Sequence, residues 1–343
     1  MDETGMQEDY RLGKVYAEMG RYDEALAAFV RCIEREPSHI KARVRKAECL
    51  YALDRATDCE AEIDGALGFA DLTARQLLSL GQLLYDLELY KKGLRVFLRG
   101  LKLTPDDYDL HLEIGNTFNA LGNHRREIEH TRRAIQLDPV RVEGYYNLGK
   151  LYLDTKRYRE AIIVLKQASA RDTQDPSLLY YLANCHYELD RLDESMELLQ
   201  QAIAVDAEFE RGFYMLGLLY RDQGMFTEAL PFFERTLELQ ADNADAHYYL
   251  GDCRFEIRDY QGAANCFEKT IELNPSDDYA HYYLASAYAL LGRDAAAIQA
   301  LEHAVRIHGD EAAREARRDP NFVRLKDNPE FIKLTNRPMS RKA

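Results

Sequence analysis

The sequence predicts an all-α fold: an α-solenoid of nine tandem helix-turn-helix repeats closed by a C-terminal capping helix. Two observations predict it. A 34-residue period runs through the chain without an insertion, marked by a small residue at Gly13, Ala47, Gly81, Gly115, Gly149, Ala183, Gly217, Gly251 and Ala285. Within each period, apolar residues recur at helical spacing along two successive stretches. A strict period of this length marks units that bury their apolar faces only by stacking on neighbours.

Counted from Met6, the units run 6–39, 40–73, 74–107, 108–141, 142–175, 176–209, 210–243, 244–277 and 278–311, after an N-terminal extension of residues 1–5. In the first unit Leu12, Gly13, Val15, Tyr16 and Met19 follow helical spacing, and Gly20 ends that helix because glycine takes a left-handed backbone cheaply. Asp23 and Glu24 open a second helix, where acids suit the positive end of the dipole. Ala25, Phe29, Cys32 and Ile33 form its buried stripe, and Pro37 stops it. Each unit is therefore expected to be two antiparallel helices.

A second small slot recurs in the second helix at Ala25, Cys59, Gly93, Ala161, Ser195, Ala229, Ala263 and Ala297. Small residues on both helices let the axes approach to the near end of the 8–10 Å range. Aromatics then lock the pair: Tyr16, Tyr152, Tyr220 and Tyr288 in the first helix, Phe29, Phe97, Phe233 and Phe267 in the second. Two units depart and read as weak repeats, with a flexible joint as the alternative. The second has Lys46 in a Leu slot, Ala56 in an aromatic slot, and Gly65 and Gly68 expected inside its second helix. The fourth has Glu127 in the small slot and Thr131 in the Phe slot. Pro231 is expected in the first turn of its helix, where no break follows.

After the repeats, residues 312–335 read as capping helices, with Phe322, Leu325, Phe331, Ile332 and Leu334 covering the last repeat; residues 336–343 are expected to be a disordered tail.

The pattern resembles the tetratricopeptide repeat family over residues 6–311. The family's large–Leu–Gly–Tyr–Ala–Phe–Ala–Pro positions read Tyr145, Leu148, Gly149, Tyr152, Ala161, Leu165, Ala168 and Thr173 in the fifth unit. In the eighth they read His247, Leu250, Gly251, Arg254, Ala263, Phe267, Thr270 and Pro275. The resemblance implies a right-handed superhelix whose first helices line a concave groove.

Composition fits a helical, soluble chain: hydrophobic residues make up 46% and charged residues 30%. No apolar run approaches the roughly 20 residues a membrane helix needs, and the acidic first residues lack the apolar core of a secretory signal. Six cysteines (Cys32, Cys49, Cys59, Cys185, Cys253 and Cys266) form no CxxC pair and read as buried free thiols of a reducing, cytoplasmic setting. The net charge of −14 is uneven: residues 172–311 carry 9 Lys and Arg against 27 Asp and Glu, whereas residues 312–343 carry 9 against 4. So acidic a block repels phosphate backbones, which argues against nucleic acid and favours a basic partner segment.

Catalytic signatures are missing: there is no Gly-rich phosphate loop, no His-Glu-x-x-His and no Gly-x-Ser-x-Gly. No enzyme activity, cofactor or metal is therefore expected. His111, His247 and His281 share one repeat position and read as imidazoles packed at a helix seam rather than as metal ligands.

The binding surface is sought at the fifth residue of each unit, where Tyr146, Tyr180, Tyr214, Tyr248 and Tyr282 fall in five consecutive repeats. The sixth position adds Asn147, Tyr181, Tyr249 and Tyr283, and Asn184 lies further along the same face. The resemblance implies that these positions face the groove. Half-exposed, five Tyr rings would offer on the order of 400–600 Å² to a peptide. The competing reading is that the rings pack against the adjoining unit. Acids at the helix ends (Asp154, Glu188, Asp222 and Glu256) would select Lys or Arg in a ligand. Some family members clamp a C-terminal carboxylate with Lys and Asn at fixed positions. Asn116 and Asn147 match two of those slots, but Leu112, Ser177 and Tyr181 occupy others, so that mode is not expected. Nor is there the Asn ladder of the N-acetylglucosamine protein transferase.

The function expected is a non-catalytic protein–protein interaction scaffold that binds an extended or helical segment of another protein. Self-association into a homo-oligomer, with the basic tail on the acidic block, and service as a regulatory subunit of a separately encoded enzyme remain the alternatives.

Overall fold

The computed structural model describes residues 3–171 and 175–336. The chain divides into two compact units, Met1–Asp172 and Thr173–Ala343. Thr173, the last family position of the fifth repeat, and residues 337–343 of the tail lie outside the described residues.

In unit 1 the helices pair in sequence: α1 (Glu3–Glu18) with α2 (Tyr22–Arg35), α3 (Ile40–Ala52) with α4 (Ala56–Leu67), α5 (Ala74–Asp86) with α6 (Tyr90–Leu103), α7 (Tyr108–Ala120) with α8 (His124–Leu137), and α9 (Glu143–Asp154) with α10 (Tyr158–Ser169). Unit 2 continues with α11 (Pro176–Tyr187) and α12 (Leu192–Val205), α13 (Glu210–Asp222) and α14 (Phe226–Leu239), α15 (Ala244–Glu256) and α16 (Tyr260–Leu273), and α17 (Asp278–Leu290) and α18 (Asp294–His308). Then come α19 (Asp310–Arg318), a 3₁₀ turn (Pro320–Leu325) and α20 (Pro329–Thr335). Among the described residues no helix is long and apolar enough to cross a membrane.

Each hairpin turns at one backbone position. Gly20, Asp54, Glu88, Gly122, Lys156, Asp190, Gly224, Arg258 and Gly292, all 34 residues apart, have φ between 57° and 73°. Only four are glycine. The other five side chains bear the left-handed conformation because the packed helices on both sides fix the corner.

Inside each hairpin the two small slots meet. Cys59 Sγ lies 3.3 Å from the carbonyl oxygen of Ala47, Ser195 Oγ donates to that of Ala183 at 2.9 Å, and a Cβ at Gly93 would come 3.3 Å from that of Gly81. One step along, Gly13, Gly81, Gly217 and Gly251 each lie beneath a Phe ring: Phe29, Phe97, Phe233 and Phe267.

The two irregular repeats keep this plan. In the second, Lys46 and Arg43 both pair with Glu62, at 2.6 and 2.9 Å, so a charged cluster replaces the apolar contact. Gly68 proves to be the C-cap of α4 rather than an interior residue, because the helix ends at Leu67; only Gly65 lies within it. In the fourth, Glu127 is buried, and its carboxylate accepts from Asn119 Nδ2 at 2.8 Å and faces His124 Nδ1 at 3.3 Å. Burial pushes that carboxyl above the usual carboxylate range. Pro231 sits inside α14, a turn deeper than the expected first turn, since that helix starts at Phe226 and still runs on to Leu239.

The C-terminal segment covers the last repeat. Phe322, Leu325, Phe331 and Leu334 are buried in one cluster with Ala297 and Leu301; Ile332, expected among them, is 41% exposed because it lies on the outer side of α20.

Candidate functional site

The repeat places the fifth-position tyrosines of unit 2 in a column along α11, α13, α15 and α17. Each of Tyr180, Tyr214, Tyr248 and Tyr282 is half-buried, and burial raises its phenol pKa. The rings interlock from repeat to repeat. Tyr214 lies 6.1 Å from Tyr249 and Tyr248 lies 6.1 Å from Tyr283, each 35 residues on. The sixth-position rings stack on the Phe of the preceding repeat: Tyr249 on Phe233 at 6.0 Å and 21°, Tyr283 on Phe267 at 5.8 Å and 25°. At the end of the column the capping segment stands in for a further repeat. Phe322 meets the Tyr282 ring at 5.7 Å, and Tyr282 OH donates to Asp319 Oδ2 at 3.0 Å.

The packing of the rings against the adjoining repeat is thus what the structure contains. The rings knit adjoining repeats together, and each fifth-position Tyr stays part-exposed. Tyr181 is the most enclosed, 8% exposed and edge-on to Tyr180 at 5.4 Å, whereas Asn184 is half-buried.

The residues singled out in unit 1 do something different. Tyr146 and Asn147 are half-buried on α9. Asn147 Nδ2 donates to Asn116 Oδ1 at 2.8 Å, and Gln82 Nε2 donates to Glu113 Oε1 at 2.8 Å, with Asn116 Nδ2 3.4 Å from Glu113 Oε2. The two Asn slots that match the carboxylate clamp are therefore bonded to one another, in a polar chain across α5, α7 and α9.

The acids divide as well. Asp222 is engaged by the Tyr187 hydroxyl and by the Arg221 guanidinium. Arg221 also covers the Tyr249 ring, 4.4 Å from its centroid. From α13 it lines a cavity of about 490 Å³ that opens along α15 and α17, walled by Tyr248, Tyr249 and Tyr283, with Asp245, Asp252 and Asp277 around them. Asp277 and Tyr279 escaped the sequence reading, because their positions hold other residue types in most repeats.

The shared histidine position is a tie to the preceding loop. His111, His247 and His281 place Nε2 within 3.1–3.2 Å of the carbonyl oxygens of Pro105, Ala241 and Pro275. A carbonyl only accepts, so Nε2 carries the proton in each. His111 Nδ1 then accepts from His130 Nδ1, 3.1 Å away.

No curated protein matches the sequence. Two family models, each described as tetratricopeptide repeat, match it: one over residues 16–83 and 153–218, the other over residues 78–141, 214–264 and 254–313. Among solved structures, the APC/C hetero-tetramer Cut9-Hcn1 aligns with TM-score 0.55 and 16% identity over 80% of this chain and 54% of that one. A structure of pilF from Pseudomonas aeruginosa gives 0.53 and 17% over 59% and 92%. Human IFIT1, in a dimer with m7Gppp-AAAA, gives 0.51 and 16% over 90% and 80%. At these identities the likeness is one of fold.

Proposed function

The chain belongs to the tetratricopeptide repeat family, and from that premise we propose that it is a non-catalytic scaffold binding a segment of a partner protein on the face of its first helices. The observation that carries the reading is the tyrosine column of unit 2, whose rings hold one another in place while staying part-exposed. Rigid phenols offer large amphipathic contact at low entropic cost, which suits an extended or helical peptide. The excess of 27 acids over 9 basic residues in 172–311 supports a basic partner. A cytoplasmic setting belongs to the proposal and is supported by six buried free cysteines.

Selection of a random peptide library on the intact chain, followed by hydrogen exchange with a selected peptide, tests it. Protection along α13, α15 and α17 is expected; protection confined to second helices would refute the reading.

A second reading, self-association, is favoured by one observation. Val15 is 45% exposed, whereas the residues at its repeat position (Cys49, Leu83, Thr117, Leu151, Cys185, Leu219, Cys253 and Ala287) are all 6% exposed or less. A sedimentation series on wild type and Val15→Glu decides it: a wild type monomeric at every concentration removes this reading.

A further inference from the structure

The cavity beside α15 and α17 contains one half-buried carboxylate without a partner of its own. Asp252, on the middle turn of α15, makes no hydrogen bond or ion pair among the described residues, although it is half-buried. Arg221, whose charge reaches it, lines the same cavity, but its guanidinium is paired with Asp222 and lies over the Tyr249 ring. Burial raises the Asp252 carboxyl pKa. Holding an unpaired carboxylate in partly dry surroundings costs free energy, and an entering cation would recover it.

The walls suit such a cation. Tyr248 and Tyr283 meet at 6.1 Å and 73°, so one ring turns its edge to the other's face, and phenol faces attract cations. One wall of the cavity already shows this fit: Arg221 lies 4.4 Å from the Tyr249 centroid with the Asp222 carboxylate beside it, which leaves the Tyr248 and Tyr283 side without a guanidinium. At the position equivalent to Arg221 in the next repeat stands Phe255, and the position equivalent to Asp222 is Glu256. That repeat therefore has the ring and the acids but no arginine at that position. Asp245 and Asp277 add further negative charge around the cavity.

We infer that this cavity receives an arginine side chain of the bound partner, its guanidinium facing Asp252 and resting against the tyrosine walls. A planar, weakly hydrated guanidinium stacks on aromatic rings better than an ammonium does. The inference rests on the partner-binding reading of this face and names the chemistry that the partner supplies.

The test uses the intact chain and a fluorescein-labelled tetra-arginine peptide, followed by anisotropy at about 0.15 M salt, where the screening length is about 8 Å. Asp252→Asn is expected to weaken binding by about fivefold or more, as loss of a partly desolvated charge contact would. The Glu194→Gln/Glu197→Gln variant removes two exposed charges from α12 and is expected to bind within about twofold of wild type. A tetra-citrulline peptide, matched in shape but uncharged, is expected not to bind. Equal losses in the two variants would mean that the general field of unit 2 attracts the peptide and would overturn the inference. Equal binding of citrulline, or of tetra-lysine, would overturn it too. Unchanged binding by Asp252→Asn, together with protection of α13, α15 and α17 by a library-selected peptide, would sink this inference and leave the groove reading standing.

Discussion

The ring of Phe97 lies on Gly81 so closely that a Cβ at the glycine would fall 2.4 Å from Phe97 Cε1. The same choice is made throughout the chain. Phe29, Phe97, Phe233 and Phe267 all face glycine, whereas Ala47, Ala183 and Ala285 stand 16 residues before the smaller Ile63, Leu199 and Leu301. Volume is thus traded across seven of the hairpins; in the other two, Gly115 and Gly149 face Thr131 and Leu165. Gly81→Ala should therefore destabilise by about 1–3 kcal/mol through overpacking, and adding Phe97→Leu should restore most of the loss. Urea unfolding of both variants checks this; a single variant as stable as wild type would show that the contact yields freely.

The left-handed corners give a second expectation. Gly224 has φ +73° and open space for 4 Å around the methyl that alanine would add, so Gly224→Ala meets backbone strain alone. A loss of about 1–2 kcal/mol is expected. Lys156, at φ 58° in the equivalent corner, should tolerate Lys156→Gly at little or no cost, because relief of strain offsets the entropy that glycine gains in the unfolded chain. Thermal melts that rank the two variants the other way would contradict this.

Glu127 occupies a slot that holds a small residue in every other repeat. Its partners Asn119 and His124 are both exposed and can turn to water once the carboxylate is gone. Glu127→Ala should raise stability at neutral pH by about 1–3 kcal/mol, as replacement of a buried charge by an apolar group commonly does. The gain should shrink at acidic pH, where the raised Glu127 carboxyl is already protonated in the folded chain. Denaturation midpoints at neutral and acidic pH test both halves.

Burial holds the imidazoles of His111, His130 and His281 below their usual range. Below about pH 6.5 the unfolded chain then binds more protons than the folded one. Stability from these residues is full above that pH and falls as the pH drops toward their folded-state values. Protonating His111 would also destroy the acceptor that His130 uses. Proton NMR of the histidine C2 resonances should show three titrations with midpoints below 6.5; midpoints all at or above it would be inconsistent with this packing.

The cap gives the last expectation. Phe322 is fully buried between Tyr282 and Phe331. Phe322→Ala should cost about 3–5 kcal/mol locally, with hydrogen exchange accelerating first in α17 to α20. Uniform acceleration through unit 2 would mean that the cap and the repeats open together.

Much of this was legible in the sequence because the decisive contacts are short-range. The hairpin corner, the paired small slots and the contact between a glycine and the ring 16 residues on lie within one repeat, so the 34-residue period exposes them. The buried members of the cap were legible for a similar reason, since a stack of hairpins must end on an apolar cover. Ile332 was misplaced because the short α20 has only one inward side.

What the tertiary structure alone decided lies between repeats. Tyr214 reaches Tyr249, Tyr187 reaches Asp222 and Asn147 reaches Asn116 by the angle at which one hairpin packs on the next. No single repeat encodes that angle. It settles which polar groups satisfy each other and which are left over, so Asp222 is consumed while Asp252 is not. The sequence by itself determined the stacked helical hairpins, through a period that only stacking can bury; packing between neighbours determined which carboxylate on the shared face stayed unpaired.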